Sequence, residues 1–131
     1  MRFIQILVFC TITMAQMSWA IAQDLKSINI IVGFTTGGAY DLTARLWARH
    51  MGRFLSGNPQ FVVQNMPGAG SIAAANHLFN LAPRDGSVLA VIGGAVVFEP
   101  MFGNQSAKFD PQAFAWIGGR TPETLSLIHI S

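Results

Sequence analysis

Between residues 27 and 92 short apolar runs alternate with stretches in which apolar residues recur every three or four positions. Ile28, Ile30, Ile31 and Val32 make a near-continuous apolar run within residues 27–34, the pattern of a parallel strand covered on both faces. Ala44, Trp47, Ala48, Met51 and Leu55 then fall at helical spacing and predict a helix over residues 39–55, stopped by Gly57-Asn58-Pro59. Residues 61–64 predict a second strand. Residues 71–82 predict a second helix with Ile72, Ala75, Phe79 and Ala82 turned inward. Pro83-Arg84-Asp85-Gly86 is a turn, and residues 87–92 a third strand. Residues 95–102 fit either a short helix or an extended crossover, and residues 114–117 predict a final short strand.

Strands alternating with helices imply an α/β fold, a parallel sheet joined by right-handed crossovers. In such a sheet the loops leaving the carboxyl ends of the strands share one edge, where ligands bind. All three of those loops are rich in glycine here: TTGG at residues 35–38, PGAG at residues 67–70, and Gly93-Gly94. The turns predicted for the opposite edge are ordinary.

The amino-terminal residues change the reading of the composition. Arg2, an apolar run opening at Ile6 and reaching about Met14, and the small-x-small Ala20-Ile21-Ala22 form a secretory signal over residues 1–22, cleaved before Gln23. A membrane anchor is the rival reading, but the run is short of the roughly 20 residues a spanning helix needs and is diluted by Gln5, Thr11, Thr13 and Gln16. The one cysteine, Cys10, lies inside this signal, so the mature chain is expected to form no disulfide, which suits a bacterial periplasm. Without Arg2, seven basic side chains face six acidic ones, which argues against a nucleic-acid binder. At the other end LSLIHIS, residues 125–131, is what a transposase-end sequencing adapter encodes in this frame. Those residues are expected to be a non-native tail, and His129 carries no functional weight.

The junction IIVGFTTGGAYDL has the chemistry of an anion cradle. Gly37 and Gly38 bare the backbone at a helix amino end, Thr35 and Thr36 add hydroxyl donors, and Asp41 can cap N–H groups or accept from a ligand hydroxyl or ordered water. A tight turn with ordinary capping by Asp41 fits the same residues, and both readings stay open. No Lys-Ser/Thr pair follows the glycines, so this is not a nucleotide P-loop, and the lack of a nearby lysine favours a carboxylate over a polyphosphate. The GAGSIA stretch at residues 68–73 matches a dinucleotide-binding turn and supports an alternative, a Rossmann-like oxidoreductase fragment. Against it, residues intervene between the strand and the first glycine, and Asp85 lies in a turn instead of at a strand's carboxyl end. Arg45, Arg49 and Arg53 form a stripe on the first helix, read as a solvated face. His50 and His77 lack a second ligand at helical spacing, so no metal site is expected.

The strings VGFTTGGAYDLTARLWARHM, VVQNMPGAGSIAAANHLF and APRDGSVLAVIGG together resemble the Bug-type extracytoplasmic solute receptors, the substrate-binding subunits of tripartite tricarboxylate transporters. The resemblance implies a type II periplasmic-binding-protein (Venus-flytrap) fold, with residues 23–124 forming the first part of a truncated lobe one. It implies a monomeric periplasmic receptor without catalysis or cofactor, whose partners are a small carboxylate and membrane transporter subunits, with no nucleic acid. Carried onto this chain, the ligand-facing positions are Thr35, Thr36, Gly37, Gly38 and Asp41, with Gly93, Gly94 and Ala95 from the third loop. Two departures bear on ligand preference: residues 33–38 lack the prolines common in the family, and Gly93-Gly94 offers no hydroxyl.

Overall fold

The computed structural model describes residues 25–119. The expected leader at residues 1–22 and the tail at residues 125–131 lie outside the described residues. Strand β1 spans Ser27–Val32, helix α1 Ala39–Met51, strand β2 Gln60–Asn65, helix α2 Ile72–Asn80 and strand β3 Val88–Val91. The protein is α/β, and its described residues form a three-stranded parallel sheet ordered β2-β1-β3. Ser27 pairs with Gln60 and Val32 with Asn65 on one side of β1, while Asn29 pairs with Val88 and Val32 with Val91 on the other.

That order explains why β1 is the most apolar strand. It has a neighbour on each side, and the chain steps outward to β2 and then crosses back to β3. Crossovers of one hand that run in opposite directions lay their helices on opposite faces of the sheet. Ile30 and Val32 accordingly pack with Ala44 of α1, joined by Phe61, Val63, Leu89 and Val91. On the other face Ile72 and Ala75 of α2 pack with Val96 and Phe109, joined by Phe79 and Ile92. Val91 and Ile92 are consecutive and serve different layers, as the two-residue period of a strand requires.

Two expectations are corrected by the packing. Helix α1 stops at Met51 and continues as a 3₁₀ turn over Gly52–Phe54. Three residues per turn carry Leu55 off the helical stripe, and it is 43% exposed instead of buried. Gly52 permits this turn, because a Cβ there would lie 2.7 Å from the carbonyl oxygen of Pro59.

Residues 114–117 form no strand. Instead Phe114 sets its ring against Phe79 and Phe109, with centroids 5.9 and 5.7 Å apart, and Trp116 folds back so that its Nε1–H donates to the Pro111 carbonyl at 2.9 Å. Asn76 and Asn80, one turn apart on α2, fasten the segment before it. Their side-chain amides donate to the carbonyls of Ser106 and Lys108, and Asn76 Oδ1 accepts the Lys108 amide. The side chains thus gain an aromatic cluster over α2, and the backbone joins no ladder. Residues 94–98 resolve the earlier ambiguity as a 3₁₀ helix, Gly94–Phe98.

Candidate functional site at the carboxyl edge

Because all three strands run parallel, the loops after Val32, Asn65 and Val91 meet on one edge. Two further bonds extend the sheet into them: Met66 N–H donates to the Val32 carbonyl at 2.7 Å and Gly33 N–H to the Val91 carbonyl at 2.9 Å. Beyond these the loops are tied by side chains.

Asp41 is only 1% exposed, although it is charged and in the first turn of α1. Its Oδ2 accepts the Gly37 amide at 2.8 Å and Arg45 Nε–H at 3.0 Å, and its Oδ1 accepts from Asn65 Nδ2 at 2.9 Å. The Arg45 bond above all, then the Gly37 amide and Asn65, hold the carboxyl well below its ordinary 3.8, at about 2. Asn65, the last residue of β2, is the hub. Its Nδ2 also donates to the Phe34 carbonyl at 3.0 Å, and its Oδ1 accepts from Thr36 Oγ1 at 3.1 Å and from Arg45 Nη2 at 3.2 Å. One amide side chain therefore joins both ends of the first loop to the neighbouring strand.

A group whose folded pKa is depressed contributes stability above its unfolded pKa, and loses it as pH falls through the folded value. Urea midpoints of the parent should therefore drop between about pH 4 and pH 2 more steeply than those of Asp41→Asn. Parallel profiles for the two proteins would contradict this assignment.

The third loop is tied to the second through Ser71 and to the first through Phe34. Ser71 is fully buried at the start of α2, with φ +83°, and its Oγ accepts the Gly93 amide at 3.1 Å. Phe34 stacks on Tyr40 at 4.2 Å and closes on Gly93, where a Cβ would come within 3.2 Å of its ring.

The sequence-predicted residues thus fall into two groups. Thr36, Gly37 and Asp41 meet around Asn65, and Gly93 is joined to their loop through Phe34. Thr35 is exposed, Gly38 stands half-buried with extended backbone at the helix start, and Gly94 and Ala95 are exposed at the head of the third loop's 3₁₀ helix. Sequence reasoning missed Asn65, Arg45 and Ser71. Asn65 had a signal, being a polar residue at the carboxyl end of a strand. Arg45 is no member of a purely solvated stripe: with its side chain 47% exposed, it pairs with Asp41, whereas Arg49 is exposed on the next turn.

The GAGSIA loop leaves β2, an edge strand, while the chain's change of direction falls between β1 and β3. Its Gly68 approaches its own helix, since a Cβ there would lie 2.9 Å from that of Ala73. Among the described residues no group of three His, Cys, Asp or Glu side chains gathers to hold a metal.

These features define an open parallel α/β sheet with a glycine-rich carboxyl edge, the class in which ligands lie outside the strand ends. No protein-family profile matches the chain. The chain is similar to the "UPF0065 protein in gbd 5'region" of Cupriavidus necator, with 36% identity over 67 residues. The match spans 51% of this chain and 20% of that relative.

Proposed function

We propose that this chain is the first part of lobe one of a periplasmic receptor that binds a small carboxylated solute. The receptor passes the solute to the membrane subunits of a tripartite tricarboxylate-type transporter and acts by binding, without catalysis. The observation that carries this reading is the front of α1. Gly38 stands at its start with no side chain to cap it, so an external acceptor can take the place of a cap, and a carboxylate fits such a position. Thr35 is exposed beside it, and the Thr36 hydroxyl and the Asp41 carboxylate, both bonded to Asn65, hold the loop in that shape. The similarity to a UPF0065 protein supports the same reading, since Bug-type receptors belong to that family. Residues 1–22 are proposed as the export signal and residues 125–131 as the foreign tail.

The test is calorimetry on the full-length mature protein against succinate, citrate, glutamate, benzoate and NAD. Saturable heat from one or more of the organic acids is expected. Heat from NAD alone would overturn the reading in favour of the dinucleotide alternative, and silence from every acid would overturn it outright.

A further inference from the structure

Asp41 raises a problem for any anion-binding role of this loop. A buried carboxylate one turn into α1 places a negative charge behind the donors that are to meet a negative ligand. It offsets the partial positive charge of the helix start and repels an incoming anion. The structure holds an answer in Arg45. Its guanidinium lies one helical turn on, with Nε on Asp41 Oδ2 at 3.0 Å and Nη2 on Asn65 Oδ1 at 3.2 Å. The Thr36 hydroxyl donates to that same Asn65 oxygen, so cation, loop hydroxyl and carboxylate share one small network. No other charged side chain touches it among the described residues.

We propose that Arg45 is a charge-compensating positioning residue: by cancelling Asp41 it leaves the partial positive charge of the α1 start, beside the exposed Thr35, as the net field an organic anion meets. This rests on the reading of the α1 front as the carboxylate site. It assigns Asp41 to shaping the loop through Gly37 and Asn65, and Arg45 to removing the electrostatic cost of having Asp41 there. The guanidinium is half exposed, so its positive field also extends into the solvent where the ligand arrives.

Charge compensation changes affinity with signs that a purely structural role does not give. In the full-length protein, with succinate and citrate as calorimetric probes, Arg45→Met should weaken binding roughly tenfold by exposing the ligand to an uncompensated carboxylate. Asp41→Asn loosens the loop but leaves the cation unopposed, so it should lose clearly less affinity than Arg45→Met. The double variant Arg45→Met with Asp41→Asn should bind several-fold more tightly than Arg45→Met alone, because the uncompensated charge is gone. Arg45→Lys should keep most of the affinity while lowering thermal stability, since it retains charge but loses the two-point contact.

If Asp41→Asn weakens binding as much as Arg45→Met does, or the double variant is no better than Arg45→Met, the pair is structural and the inference fails. If the parent binds neither probe nor any other organic acid, the carboxylate reading itself has failed. Circular dichroism of each variant separates loss of affinity from loss of fold.

Discussion

Gly33→Ala should destabilise the protein by about 3 kcal/mol, moving its urea midpoint down by more than 1 M. Gly33 follows the last residue of β1, where the first and second loops come closest. A Cβ built on it would lie 2.6 Å from both Cβ and Oγ of Ser71 and 3.0 Å from its Cα. Such contacts can be relieved cheaply only by a flexible side chain, and Ser71 has no such freedom. It is fully buried, and swinging its Oγ away would leave the buried Gly93 amide without an acceptor. Overpacking of this kind costs about 1–3 kcal/mol, and an orphaned buried donor a similar amount. Adding Ser71→Gly should recover part of the loss, since it removes two of the three clashing atoms and suits the left-handed backbone at that position. A Gly33→Ala protein as stable as its parent would mean that the two loops are not in contact.

The second large effect is expected on the other face of the sheet. Ile72→Ala should cost about 3 kcal/mol in equilibrium unfolding, and Ile72→Val about 1 kcal/mol. Ile72 opens α2 and is 5% exposed, packed with Ala75, Val96 and Phe109 beneath Phe79 and Ile92. The cavity cannot close easily. The Phe79, Phe109 and Phe114 rings brace one another, and Asn76 and Asn80 hold the backbone that carries Phe109. A measured cost below 1 kcal/mol for the alanine variant would show that this layer collapses around the gap and is not a rigid core.

Strands and helices were legible wherever one periodicity ruled. Ile30, Ile31 and Val32 are buried on both faces because β1 lies between two strands and two helices, while Asn29 near the start of the strand stays exposed. Ile72, Ala75 and Phe79 kept their helical stripe for a similar reason, since α2 has a single face against the sheet and the carboxyl-terminal aromatics. Failure came where local pattern met a competing contact. FAWI reads as a strand by β-propensity, yet no ladder takes its backbone and Phe114 packs on Phe79. Leu55 fits the helical count, but Gly52 changes the count three residues earlier.

The candidate site divides along the same line. From the sequence alone came the glycine-rich edge, the hydroxyls of Thr35 and Thr36, and an acidic residue in the first turn of α1, because those follow from residue type and from neighbours along the chain. Tertiary structure decided what Asp41 bonds to, since Asn65 lies 24 positions away and reaches it only through parallel pairing of β1 with β2. It also decided that Ser71 joins two loops and that Arg45 is a partner and not a surface charge. Side-chain bonds between distant segments depend on strand register, and no spacing within one segment records it.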